Sequence, residues 1–150
     1  MQTGIQVSSV KPLLLTEAQV AQAFQNIRSL GCTTVQLQWI DPSVSVAAIA
    51  ACLKESGMDS VSVQDFYEVI RENLSYYVDL NAATGGTWLC VSRIPDRLKS
   101  VEGLDAYIAE LRAIQNKLTH LGQKICFHPV SVDFTAVPGI NAVEYLFDHM

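Results

Sequence analysis

Gly31, Gly57, Gly85 and Gly122 stand in one repeated position along this chain. Each follows an amphipathic stretch and precedes a short apolar run that ends in a polar residue and a turn. A helix C-terminus favours a left-handed residue, which glycine adopts at little steric cost. The repeating phrase is therefore helix, glycine, strand, turn, helix. A unit of roughly 30 residues is the βα repeat of a parallel sheet.

The strands carry the second constraint. In Thr34–Asp41, Val35, Leu37 and Trp39 alternate with Gln36 and Gln38, which gives one apolar and one polar face. Gly4–Ser9 repeats the pattern with Ile5 and Val7 against Gln6 and Ser8. Ser60–Gln64 sets its valines against Ser60, Ser62 and Gln64. Thr87–Ser92 and Lys124–His128 read as a fourth and a fifth strand. Strands packed by helices on both faces are normally apolar on both. Glutamines on one face need partners, which a polar hollow would supply.

Helices fill the intervals. Thr16-Glu-Ala-Gln19 has the capping-box form, followed by an apolar stripe of Val20, Phe24, Ile27 and Leu30. Val46, Ile49, Ala50 and Leu53 mark a second helix. Phe66, Ile70, Leu74 and Tyr77 mark a third, and Leu104, Ile108, Leu111 and Leu118 a fourth. Val143, Leu146 and Phe147 open a fifth. No linker interrupts the series, so 1–150 is expected to be one domain or part of one. Two folds accept five such units. A flavodoxin-like doubly wound sheet matches the length, and would make the chain a small-molecule-binding or regulatory module without enzymatic activity. An eight-fold TIM barrel needs about 250 residues but suits the polar strand faces.

Composition excludes several classes. Hydrophobic residues make up 49% of the chain, enough for a core. The net charge of −5 and the scattered Lys and Arg argue against a nucleic-acid partner. No apolar run approaches the ~20 residues of a membrane span, and the first residues lack a signal-peptide pattern, so cytoplasm is expected. Cys32, Cys52, Cys90 and Cys126 show neither the paired spacing of a zinc site nor the density of a disulfide scaffold. They are expected to be reduced thiols, mostly buried.

Thr3-Gly-Ile-Gln-Val-Ser-Ser9, Thr34-Val-Gln-Leu-Gln-Trp39, Ser62-Val-Gln-Asp-Phe-Tyr67 and Cys126-Phe-His-Pro129 resemble the xylose-isomerase-like family of sugar phosphate isomerases and epimerases. The resemblance spans the chain as the first five βα units of an eight-stranded barrel, with strands in sequential parallel order. It implies proton transfer on a hydroxy-carbonyl sugar or polyol at the C-terminal mouth, with a divalent metal such as Mn, Mg, Co or Zn. It also implies that the ligands of strands six to eight lie outside these units. A truncated chain of this kind would be inactive and could self-associate through open sheet edges. Many relatives end strand five with His-Asn-His and a nearby glutamate. Here His128 matches the first histidine, Pro129-Val130 replaces the rest, and Asp133 stands where the glutamate would be, as a candidate metal ligand. The related endonuclease barrels are disfavoured by the acidic charge.

Sugar isomerisation needs a base and a group that stabilises the enediolate. His128, at the end of a strand, is the candidate catalytic residue, as base, ligand or hydroxyl partner. Gln6, Gln38 and Gln64 are candidate hydroxyl binders, since an amide both donates and accepts; mutual pairing within the wall is the alternative. Arg93, after the fourth strand, would hold a phosphate or carboxylate. Asp65 and Tyr67 come just past the third strand on the same rim, with capping of the third helix as the alternative for Asp65. Trp39 is expected on the outer face against helices.

Overall fold

The structure, a computed structural model, describes residues 3–150. Five parallel strands form one open sheet in the order β1-β2-β3-β4-β5, with helices between them. They are β1 (Gly4–Gln6), β2 (Thr34–Leu37), β3 (Asp59–Phe66), β4 (Trp88–Ser92) and β5 (Lys124–His128). A flavodoxin-like sheet would run 2-1-3-4-5. The sequential order removes that alternative and is the order of a barrel that has not closed.

Two compact units share the chain. One runs to Gln64 and includes Leu74–Leu89; the other comprises Asp65–Asn73 and Cys90–Met150. In the first, α1 (Glu17–Ser29) is capped by Thr16, whose Oγ1 accepts the Gln19 N–H at 3.3 Å. Val20, Phe24 and Ile27 are buried, whereas Leu30, at the helix end, is exposed and leaves the expected stripe. α2 (Val46–Ser56) starts at Ser45, whose hydroxyl accepts the Ala48 N–H, and stops at Gly57 with φ +62. It packs on α1 and on α4 (Leu74–Ala83). Gly31, Gly85 and Gly122 also have positive φ, so all four repeated glycines take the left-handed conformation.

Three expectations for this unit need correction. The first strand ends at Gln6 rather than Ser9, and Val7–Leu13 forms 3-10 turns in which Ser8 Oγ turns back to the Gln6 side chain. β2 ends at Leu37, and Trp39 has φ +57, so it leaves the alternation. The residue is 37% exposed, and the Lys11 ammonium lies 4.8 Å from the centre of its ring. In β3 the register steps from Val35↔Ser60 to Gln36↔Ser62, leaving Val61 unpaired. This bulge breaks strict alternation, with Ser60 opposite Val35 and Val61 half exposed.

In the second unit, α3 (Tyr67–Glu72) follows β3 directly. The single third helix expected from sequence breaks at Asn73, whose φ −125 and ψ 35 separate α3 from α4. α5 (Val101–Thr119) buries Leu104, Ile108, Leu111 and Leu118 as expected, together with Tyr107. α6 (Ala142–His149) packs on α5 with Val143 and Leu146 buried, while Phe147 faces outward.

Candidate functional site

The first unit gathers amides on one face of its strands. Gln6 donates through Nε2 to Gln36 Oε1 at 2.9 Å and to Gln64 Oε1 at 3.1 Å, and its own Oε1 accepts from Ser8 Oγ at 3.0 Å. Gln36 Nε2 donates to Ser62 Oγ at 2.9 Å. Both amide protons of Gln6 are thereby used. Gln64 is only 3% exposed and Gln38 is buried as well. Two of the sequence-derived hydroxyl binders, Gln6 and Gln64, thus come together and spend a hydrogen bond on each other, while Gln38 is buried just past the end of β2. A cleft of about 280 Å³ opens beside them, lined by Gly4, Ile5, Gln6, Thr34, Gln36 and Val61.

The second unit has a different cleft, of about 380 Å³, at the C-terminal ends of β3 and β4. Barrel active sites gather at this end of the strands. Phe66, Tyr67, Ser92, Arg93, Pro95 and Arg97 line it, together with Glu68 and Asp96. Asp65 lies behind the lining: its Oδ1 accepts the Phe66 N–H at 2.7 Å, and its carbonyl accepts Ser92 Oγ–H at 3.2 Å. Asp65 thus bonds the N-cap residue Phe66, and α3 itself has no side-chain cap.

Two arginines enter this cleft in different states. Arg97 reaches Glu68 through Nε at 2.7 Å and grips Glu110 with both terminal nitrogens, at 3.1 and 2.7 Å. Tyr67 donates to the same Glu110 carboxylate at 2.5 Å, and Arg71 pairs with Glu68 at 2.9 Å. Arg97, foremost, and then Tyr67 hold the Glu110 carboxyl below its ordinary 4.5, against the effect of burial. Burial, then the Glu110 bond, pushes the Tyr67 phenol up. Arg93 is looser. Its described ion-pair partner, Asp96, is 3.8 Å away, while the same Asp96 oxygen sits 2.5 Å from Lys99. Arg93 is 48% exposed and holds a left-handed backbone, φ +66, at the turn out of β4.

The remaining candidates lie apart from the cleft lining. His128 ends β5 and is exposed. Asp133 is fully buried: Oδ1 accepts the Ile94 N–H at 2.9 Å and Oδ2 the Val130 N–H at 2.8 Å. Both of its oxygens are engaged in tying the loop after β4 to the loop after β5. Among the described residues no group of three or more His, Cys, Asp or Glu could hold a metal ion. The divalent metal implied by the family resemblance therefore does not fit the residues present. The Tyr67–Glu110–Arg97–Glu68 network was not foreseen, since Tyr67 and Glu110 lie 43 positions apart. The local signal was Tyr67, beside Asp65 on the rim past β3, with Glu68 and Arg97 close to the same strand ends.

Sequential parallel strands with helices between them match part of the TIM-barrel fold, and solved structures of that fold superpose on this chain. A sugar phosphate isomerase/epimerase from Parabacteroides distasonis matches with a TM-score of 0.75 at 12% identity, covering 97% of this chain and 62% of that one. An AP endonuclease of family 2 from Brucella melitensis matches at 0.66 and 13%, covering 97% and 65%. An L-ribulose 3-epimerase matches at 0.63 and 13%, covering 85% and 49%. The chain thus spans less than two thirds of each of these proteins. No family model matches the sequence. No curated protein matches it either. Among the described residues no helix is long and apolar enough to cross a membrane.

Proposed function

We propose that this chain belongs to an enzyme that moves a proton on a hydroxy-carbonyl sugar or polyol bearing an anionic group, and that it supplies the part of the site that holds the anion. The observation that carries this is Arg93, loosely paired and half exposed in a cleft at the C-terminal ends of β3 and β4. A guanidinium presents paired donors that match phosphate or carboxylate oxygens. Ser92, whose hydroxyl is tied to Asp65, shapes the wall beside it. His128, at the end of β5, is the base candidate, and Gln64 on β3 and Gln38 just past β2 are hydroxyl candidates. The net charge of −5 favours a small anion over a nucleic acid, whose backbone demands a broad basic surface.

His128 does not line the cleft, so the 150-residue chain presents a binding pocket without a base positioned in it. Binding without turnover is the expected behaviour, because proton transfer requires the base within hydrogen-bond reach. β1 and β5 each end the sheet, and an unpaired strand edge offers backbone donors and acceptors to a second copy. Self-association is expected, and a monomer by light scattering at high concentration would contradict it.

Calorimetric titration with ribulose 5-phosphate, ribulose and inorganic phosphate tests the assignment. Phosphorylated sugar is expected to bind more tightly than the free sugar. Arg93→Gln is expected to weaken it about tenfold, the equivalent of ~1.4 kcal/mol. Equal binding of ribulose and its phosphate, or an unchanged constant in Arg93→Gln, would refute it.

A further inference from the structure

Cys90 and Cys126 sit at the centres of β4 and β5, which are neighbours in the sheet. Phe127 meets Tyr107 of α5 edge-on, with ring centres 6.1 Å apart, so Cys126 points to the opposite face of its strand. Cys90 lies on the neighbouring strand, and each thiol is the largest influence on the other's ionisation. Their exposure differs. Cys90 is 5% exposed, whereas Cys126 is partly open to solvent. Neighbouring strands are about 4.8 Å apart, inside the range of roughly 4.4–6.8 Å between Cα atoms that a disulfide spans.

We propose that Cys90 and Cys126 form a redox-active dithiol, with Cys126 as the attacking thiol and Cys90 as the resolving one. The oxidant is a low-molecular-weight disulfide. The Cys126 thiolate attacks one sulfur of that disulfide, its S–S bond breaks, and the departing thiolate takes up a proton. Cys90 then loses its proton and attacks Cys126 Sγ, releasing the second small thiol. Two protein thiols are oxidised to one disulfide, and the small disulfide is reduced to two thiols. The roles follow from access, since only Cys126 can be reached and only Cys90 is adjacent to it. The neighbouring Cys90 holds the Cys126 thiol below its ordinary 9.0, against burial, while Cys126 and then burial push the Cys90 thiol up. This asymmetry agrees with Cys126 ionising first. The product would staple β4 to β5 two residues before Ser92 and His128.

The test uses the unmodified 150-residue chain, incubated with oxidised glutathione, alkylated under denaturing conditions and digested with trypsin. Cys90 and Cys126 fall in separate peptides, one ending at Arg93 and one beginning at Ile125. The expected product is a cross-link between these two peptides with loss of two hydrogens, reversed by dithiothreitol. Cys90→Ser should trap glutathione on Cys126, and Cys126→Ser should leave Cys90 unmodified. No cross-link in the unmodified chain, or one that joins Cys32 or Cys52 instead, would overturn the assignment. Glutathione on Cys90 in the Cys126→Ser chain would overturn the division of roles.

Discussion

The amide face of the first unit and the C-terminal cleft of the second are both polar, yet they differ in how far their polar groups are already satisfied. Gln6 spends both amide protons on Gln36 and Gln64 and its oxygen on Ser8. Arg93 has one described ion-pair partner, at 3.8 Å, and that partner is held more closely by Lys99. Burying a polar group without a partner is costly, so a saturated network stabilises the fold while an unsaturated cation is available to a ligand. Polar residues on a strand face therefore do not by themselves mark a binding site. Changes in the first region should register in stability, and changes at Arg93 in binding.

The largest effect is expected from Gln6→Leu. Leucine removes three hydrogen bonds at once and strands the Oε1 of Gln64, which is too buried to turn to water. Leaving a buried acceptor unpaired costs about 1–3 kcal/mol, and urea denaturation should show a loss of about 2 kcal/mol. A loss under about 0.5 kcal/mol would mean that the amides carry no weight in folding, and the contrast between the regions would collapse.

A smaller effect separates two tyrosines inside the second unit. Tyr67 and Tyr107 meet edge-on with ring centres 4.8 Å apart, and both are buried. Tyr67 donates to Glu110, whereas the Tyr107 hydroxyl has no hydrogen-bond partner among the described residues. Tyr67→Phe should cost about 1–2 kcal/mol, since it removes a bond to a charged acceptor. Tyr107→Phe should be neutral or stabilising, because it deletes an unsatisfied hydroxyl. Equal losses in thermal melts would show that the saturation rule fails in this unit.

Acid should act on the second region through Glu110. Its folded carboxyl is held below the ordinary 4.5 by Arg97 first and then by Tyr67. A depressed folded value means the contribution is complete above pH 4.5 and is lost as the pH falls through the folded value. Glu110→Gln should flatten the acid limb of a stability–pH curve below that point and leave the neutral limb parallel. The difference should be modest, since Arg97 is 41% exposed and solvent screens the pair. An unchanged acid limb in Glu110→Gln would remove Glu110 from the ionic network that braces the cleft.

Much of the scaffold was legible because it rests on short-range rules. The left-handed glycines, the Thr16 cap and the stripes of α2 and α5 each follow from residues within a few positions of one another. What escaped depends on neighbours distant in sequence. Nothing near Val61 announces the bulge, which arises from the register against β2. Trp39 continued the alternation in sequence, yet its backbone turns left-handed just past the strand. Cys90 and Cys126 looked unrelated until β4 and β5 became neighbours. The same holds for Glu110, supplied to the cleft network from the middle of α5. Arg93 was legible by position, as the residue after a strand, but its loose pairing was visible only in the fold.

The smallest effect sharpens the comparison most. Arg93 holds φ +66, a conformation that costs a non-glycine residue roughly 1 kcal/mol or more. If that strain persists because the guanidinium serves a ligand, Arg93→Gly should stabilise the chain by about 0.5–1 kcal/mol while weakening phosphorylated-sugar binding. Arg93→Ala keeps the strained backbone and lacks the guanidinium, so it should weaken binding equally with no gain in stability. The gap between the two variants in denaturant midpoint isolates the backbone term, and their shared loss of affinity isolates the charge. A glycine variant no more stable than alanine would show that the turn after β4 imposes no strain, and the contrast with the amide face would then rest on charge pairing alone.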